Sequence, residues 1–166
     1  IVIAAGAQPA VPPLPGLQDV GYVTSDTLWE RFADLDAPPA RLVVLGGGPI
    51  GCELAQAFAR LGSAVTQVEM APRLMLREDE EVSALVRDAL AADGVRVLTG
   101  HKALRCERDG DGGKVLVVEQ GGAQTRIVFD ELLCAVGRTA RLTGYGLEDL
   151  GIPVHRTIDT NEYLQT

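Results

Sequence analysis

Apolar positions along the chain change period several times. Leu42-Val43-Val44-Leu45 is a short, continuous, β-rich apolar run, the pattern of a strand covered on both faces. Gly46-Gly47-Gly48-Pro49-Ile50-Gly51 follows directly. Ile50, Leu54, Phe58 and Leu61 then recur at helical spacing, Ala55 and Ala57 permit close packing, and Gly62 ends the predicted helix. Ala64–Glu69 predicts a second strand. After a turn at Pro72, a second amphipathic helix is predicted from about Glu78 to Asp93, with Val82, Leu85, Val86, Ala89 and Leu90 as its apolar stripe. Glu78, Asp79, Glu80 and Glu81 suit the positive end of its dipole, and Gly94 stops it. Val95–Leu98 is a third strand, which completes a β-α-β-α-β order, half of a doubly wound fold.

The pattern then switches to short strands, Lys102–Arg108, Lys114–Gln120 and Thr125–Phe129, separated by Asp/Gly turns. These predict an antiparallel meander inserted before one more buried strand, Glu131–Val136. Residues 137–166 read as loop. At the other end, Ile1-Val2-Ile3-Ala4-Ala5-Gly6 has the look of a buried strand entering a tight turn. Residues 7–40 read as a connection, because Pro9, Pro12, Pro13, Pro15 and Gly16 enforce an extended path. Within them, Ser25-Asp26-Thr27 is expected to cap a short helix through Phe32, and Pro38-Pro39 to stop it. The fold class is therefore α/β, a Rossmann-like parallel sheet with an inserted antiparallel β-meander. A buried strand at the very start, without an initiator methionine, leads us to expect a piece of a longer polypeptide.

The 166 residues have room for about one domain. With 46% apolar and 23% charged residues, they fit an ordinary globular protein rather than a disordered or collagen-like one. A net charge of -8 makes nucleic acid or an anionic membrane unexpected partners. No apolar run approaches the roughly 20 residues of a helical membrane span. The three cysteines, Cys52, Cys106 and Cys134, lie far apart without CxxC or Cys/His ligand spacing. They are expected to be free buried thiols in a reducing cytoplasm, and no metal site is expected. His101 and His155 stand alone. Neither lysine, Lys102 or Lys114, follows a tyrosine at the spacing a short-chain dehydrogenase needs.

The chemistry concentrates in Gly46-x-Gly48-x-x-Gly51 between a predicted strand and a predicted helix. In that setting the first glycine permits the tight turn and the second lets backbone approach a pyrophosphate. The third lets helix and strand pack closely, while the helix-start amides attract phosphate charge. Glu69 ends the second strand about 20 residues later, where a carboxylate accepts hydrogen bonds from an adenosine ribose and repels a 2′-phosphate. Arg73 lies close enough in sequence to matter, so NAD is favoured over NADP rather than required. Glu53 in the first helical turn has two readings. It either compensates the helix dipole, worth about 0.3–1 kcal/mol, or points a carboxylate at the nicotinamide.

Taken together, these residues resemble the middle of the FAD-dependent pyridine nucleotide–disulfide oxidoreductases, the group that includes dihydrolipoamide dehydrogenase and mercuric reductase. Ile3-Ala4-Ala5-Gly6-Ala7-Gln8-Pro9 is similar to the family's first segment passing the flavin, and Leu133-Cys134-Ala135-Val136-Gly137-Arg138 to the segment closing its NAD domain. The stretches 9–17, 53–63 and 77–79 look most like mercuric reductase. The glycine loop and Glu69 look more like dihydrolipoamide dehydrogenase. The resemblance implies a parent enzyme in which NADH reduces FAD, and the flavin in turn serves a disulfide, dithiol or Hg(II) substrate. It implies a strip of FAD domain and linker at 1–40, an NAD-binding domain at 41–138 and a return segment at 139–166. Carried over by motif, Gly46, Gly48, Pro49, Ile50 and Gly51 would hold the pyrophosphate, Glu69 the ribose, and Ala103 the adenine end by main chain. Glu53, Ala135, Val136, Gly137 and Arg138 would lie on the nicotinamide side, and Ala5 and Gly6 would approach FAD. A redox Cys-x4-Cys, an FAD-binding glycine loop and a dimerisation domain of a homodimeric parent would lie outside this sequence, so the fragment itself is expected to be inactive. The rival reading is a stand-alone NAD-sensing or interaction module that never uses flavin.

Overall fold

Leu42, Val43, Val44 and Leu45 are all buried because their strand lies at the centre of the fold, covered on both faces. The computed structural model describes residues 1–166. The chain opens with β1 (Ala7–Pro9), α1 (Leu17–Val20), β2 (Val23–Thr24) and α2 (Leu28–Phe32). The β-α-β-α-β unit follows as β3 (Arg41–Leu45), α3 (Pro49–Arg60), β4 (Ala64–Val68), α4 (Glu80–Ala92) and β5 (Arg96–Leu98). Then come β6 (Lys102–Arg108), β7 (Lys114–Gln120), β8 (Ala123–Phe129), β9 (Glu131–Cys134) and β10 (Arg138–Ala140).

Five strands form a parallel sheet in the order β2-β9-β3-β4-β5. Side-chain alternation along β3 divides the core in two. Leu42 and Val44 join Val65, Leu133, Cys52, Ala55, Phe58 and Leu90 under α3 and α4. Val43 and Leu45 join Val68, Leu132, Leu116, Ile127 and Phe129 under the antiparallel meander β6-β7-β8. Each such buried Val, Leu, Ile or Phe side chain contributes about 1.5–3 kcal/mol relative to exposure. The expected α/β architecture with an inserted meander is the architecture found.

Elsewhere the structure departs from the sequence reading. Residues 1–6 form no strand, and Ile1 and Val2 are exposed, since no neighbouring strand pairs with them. The connection 7–40 supplies core residues: Leu17, Val20, Val23 and Leu28 are each at most 3% exposed. Val23–Thr24 extends the parallel sheet beside β9. The proline run docks on the meander, with Cys106 N donating to Pro15 O at 2.7 Å, and a Cβ on Gly16 would collide with the Cys106 carbonyl. At α2, Thr27 does not cap the helix; its hydroxyl accepts from Thr24 N at 2.9 Å and closes the preceding turn.

Both long helices face the sheet along seams that coincide only in part with those expected: Leu54, Ala55 and Phe58 of α3 and Val86 and Leu90 of α4 do pack on the core. On α3 the seam is Gly51, Cys52, Ala55 and Phe58, and Leu61 is exposed, because the small residues bring that side closest to the sheet. On α4 Ser83 and Leu90 are buried, with Val86 packed beside them, whereas Val82 and Leu85 are exposed. Ser83 is accommodated because its hydroxyl donates to Leu74 O at 2.7 Å. Residues 138–140, read as loop, pair antiparallel with β1. No helix is long and apolar enough to cross a membrane. Because Leu17 sits in the meander-side core, Leu17→Ala should cost about 2–5 kcal/mol in urea denaturation. Leu85→Ala, on the outer side of α4, should stay within about 0.5 kcal/mol.

Candidate functional site

The site forms where β3 ends and α3 begins. Gly46 turns the chain with φ of 120°, a conformation other residues rarely adopt, and a Cβ there would collide with the Ala135 carbonyl. Its amide donates to Val68 O at 2.8 Å, tying the turn to β4. Gly51 is required for close approach, since a Cβ would meet the Gly46 carbonyl. Gly48 is different: nothing lies within 4 Å of its Cβ position, so it borders open space at the start of α3. Pro49 takes the first helical position, where a missing N–H costs nothing. The amides of the first turn lack intrahelical partners and carry the positive end of the dipole.

Glu69 sits just beyond β4 with its carboxylate turned back to the loop. One oxygen accepts from Gly47 N at 2.6 Å and the other from Ala71 N at 2.6 Å. Two oxygens offer about four acceptor positions, so capacity remains for hydroxyl donors. A Cβ on Gly47 would come within 2.8 Å of Glu69 Cγ and of Leu74 Cδ2. A side chain at Gly47 would therefore push the Glu69 and Leu74 side chains out of their present positions. The loop 70–79 is fastened by Met75 N donating to Gly47 O at 2.7 Å, with Met75 itself left-handed at φ 49°. Arg73 is turned inward on the same loop, donating to the carbonyls of Met75, Leu76 and Glu78 at 3.3, 3.0 and 2.8 Å.

The segment after β9 borders the other side of the turn. Ala135 N donates to Leu45 O at 2.8 Å, while Val136 and Gly137 are exposed. The Arg138 guanidinium is held by Ala7 O at 2.6 Å and Asp26 Oδ1 at 3.2 Å. Glu53 is exposed on α3 and borders a cleft of about 190 Å³ shared with Gln56, Met75 and Val86. Ile50 is half-buried in the first turn of α3. Ala103 lies half-buried in β6 against the meander-side core. The turn before it is bound to the site, because His101 N donates to Glu69 O at 3.0 Å. Ala5 and Gly6 line a separate shallow cleft of about 150 Å³ with Arg141 and Tyr145.

The structure thus brings Gly46, Gly48, Pro49, Ile50, Gly51, Glu69 and Ala135 to one end of the sheet. Sequence reading missed Gly47, which occupies a variable slot of the glycine pattern, and Gln67, a wholly buried polar residue on β4. A glutamine interrupting an apolar strand was the available signal. The three cysteines are free and buried, and no cluster of His, Cys, Asp or Glu is placed to hold a metal ion.

A parallel α/β sheet with a glycine turn at its carboxyl edge, a carboxylate closing the next strand and an inserted meander defines a Rossmann-like domain of the flavoprotein disulfide reductase type. All of residues 1–166 match the family model described as pyridine nucleotide-disulphide oxidoreductase, and the chain belongs to that family. It is 40% identical over 171 residues to a dihydrolipoyl dehydrogenase of Thermus scotoductus, covering 99% of this chain and 36% of the relative. It is also 40% identical over 167 residues to a mercuric reductase of Bacillus cereus, covering 99% of this chain and 26% of the relative. Among solved structures, the HOCl-induced flavoprotein disulfide reductase RclA from Escherichia coli superposes with a TM-score of 0.81 at 31% identity, covering 98% of this chain and 36% of that one. The chain therefore spans between 26% and 36% of the length of these proteins.

Burial pushes the Cys134 thiol up to about 12 and the Cys106 thiol up to about 11, from an ordinary 9.0. Cys52 is also raised by burial, against an opposing hydrogen bond from Gln67. A raised folded-state value means the stabilisation is complete below the unfolded value and is lost as pH climbs through the folded one. Stability in denaturant titrations should hence show no thiol-dependent change up to about pH 8.5, and a fall between about pH 9 and 12. Cys134→Ala should make that fall shallower; an identical slope would show that the thiol titrates alike in the folded and unfolded states.

Proposed function

We propose that this chain is the NAD(H)-binding part of a flavin-dependent oxidoreductase, in which NADH reduces FAD and the flavin serves a disulfide, dithiol or Hg(II) substrate. The observation that carries this reading is the pairing of an open cradle at Gly48 with the Glu69 carboxylate fixed beside it. The open space at Gly48 and the spare acceptor capacity of Glu69 support this reading. A pyrophosphate needs backbone N–H groups with no Cβ in the way, and Gly48 at the start of α3 provides that setting. Bound there, the nucleotide supplies a hydride donor; the protein's part is to hold and orient it.

In this reading the backbone at Gly46, Gly48, Pro49, Ile50 and Gly51 binds the pyrophosphate, and Glu69 accepts from the ribose hydroxyls. Ala103 meets the adenine end by main chain. Ala135, Val136, Gly137 and Arg138, together with Glu53, border the nicotinamide. Ala5 and Gly6 face FAD in the longer protein. Residues 1–40 and 139–166 then form strips of the flavin domain around an NAD-binding unit at 41–138. A dimerisation domain of the homodimeric parent lies beyond this chain, which alone binds NADH and turns nothing over.

NAD is favoured over NADP for a reason that goes beyond Glu69. A 2′-phosphate would meet the Glu69 carboxylate, and charges of like sign about 4 Å apart repel by about 4 kcal/mol near a protein surface. Arg73, the cation nearest in sequence, is engaged by three backbone carbonyls of its own loop and offers no compensation. Isothermal titration should give NADH at least about tenfold tighter binding than NADPH. Glu69→Ala should weaken NADH by about tenfold and narrow the gap between the two. Tighter binding of NADPH to the unaltered chain would overturn the assignment. Gly48→Ala should leave the melting temperature nearly unchanged while weakening NADH, because its methyl group enters the cradle without touching protein.

A further inference from the structure

Gln67 is wholly buried, and its Oε1 atom has no hydrogen-bond partner, an arrangement that an apolar side chain would avoid. Its Nε2 donates to Gly46 O at 3.0 Å and approaches Cys52 Sγ at 3.5 Å. No backbone amide donates to that Gly46 carbonyl. Two residues further along the chain, Glu69 accepts from Gly47 N at 2.6 Å. The Gly46 carbonyl and the Gly47 amide belong to one peptide group. Side chains two residues apart therefore hold opposite ends of the same peptide plane, one as donor and one as acceptor.

Glycine on both sides leaves this peptide free of the Cβ contacts that restrict rotation elsewhere. The plane would otherwise be able to turn, exchanging the directions of its carbonyl and amide. Either change matters to the site. The Gly46 carbonyl packs against Gly51, in the first turn of α3, and the Gly47 amide fixes the Glu69 carboxylate. We infer that Gln67 is a positioning residue, whose amide locks the Gly46–Gly47 peptide plane and thereby sets both the pyrophosphate-binding helix start and the ribose-binding carboxylate. The inference rests on the nucleotide-binding reading above for its functional consequence, though not for the lock itself.

Gln67→Met separates positioning from stability, since it keeps length and apolar volume while removing the donor together with the unpartnered oxygen. In the nucleotide-free 166-residue chain, hydrogen exchange at the Gly47 amide should accelerate at least about tenfold in the variant. The melting temperature should move by only a few degrees. NADH should bind about tenfold more weakly, and combining Gln67→Met with Glu69→Ala should weaken it by less than the product of the single effects. Gln67→Asn, one methylene too short to reach Gly46 O, should behave alike and serves if the methionine variant does not fold. Unchanged exchange at Gly47 in both variants overturns the lock. A variant that loses melting temperature but keeps NADH affinity and Gly47 exchange also overturns it, leaving Gln67 a packing residue. If the unaltered chain fails to bind NADH while the exchange effect appears, the lock stands and the nucleotide reading falls.

Discussion

The peptide group joining Gly46 and Gly47 is gripped from both ends by side chains at the end of a single strand. Gln67 donates to its carbonyl, and Glu69 accepts from its amide. Everything chemically interesting in the domain depends on where β4 sits beside β3. Their parallel register pairs Val44 with Gln67 and Leu45 with Val68, which brings the end of β4 level with the glycine turn. A slip of one residue would turn Gln67 out of the helix-side core and carry Glu69 away from the loop, because side chains alternate faces with period two. The register is in turn specified by burial on both faces. Val65 must enter the core under the helices and Val68 the core under the meander.

The meander does more than cover a sheet face. Leu116, Val118, Ile127 and Phe129 fill the core opposite the helices, so β3 and β4 are held from both sides. The turn leading into β6 supports the site directly, with Gly100 N donating to Ala71 O at 2.8 Å and His101 N to Glu69 O at 3.0 Å. Glu69 and Ala71 are also the two residues joined by a side-chain hydrogen bond at 2.6 Å. The Glu69 carboxylate is thus positioned by the loop before it, the loop after it and the inserted sheet. This pre-organisation spares the site the ordering cost that a mobile carboxylate would incur on binding.

Much of this was legible in the sequence, for reasons that are local. The run Leu42–Leu45, the glycine pattern and an acid at position 69 each express a short-range rule, and their structural context followed from period and spacing. The meander strands could be placed because Asp/Gly turns punctuate them. Long-range effects were hidden. Nothing local marks Val23–Thr24 as a strand, since its place depends on β9, more than a hundred residues later in the chain. Leu17 and Leu28 look like residues of a connection until the sheet exists to receive them. Gly47 appeared to be an arbitrary member of a triplet, and only its contact with Glu69 Cγ and Leu74 Cδ2 gives it a cause. The apolar stripes of α3 and α4 hold only in part, with Leu61, Val82 and Leu85 exposed, for the same reason: small and polar residues, Gly51 and Ser83, help decide which side approaches the sheet.

The electrostatics of the site are not those of an anion site built from cations. The chain carries a net charge of -8, so its long-range field opposes the approach of a dinucleotide. Two guanidiniums of the segments flanking the glycine turn are already committed within the protein. Arg73 is bound to carbonyls of its own loop, and Arg138 to Ala7 O and Asp26. Attraction therefore has to come from fixed dipoles, the unpartnered amides at the start of α3, which act only at contact distance and are sensitive to how the helix start is aimed. A site built from cations tolerates small displacements because a point charge acts in every direction. A site built from amides does not, and that difference explains why two buried or half-buried polar side chains of one strand end are committed to the orientation of a single peptide.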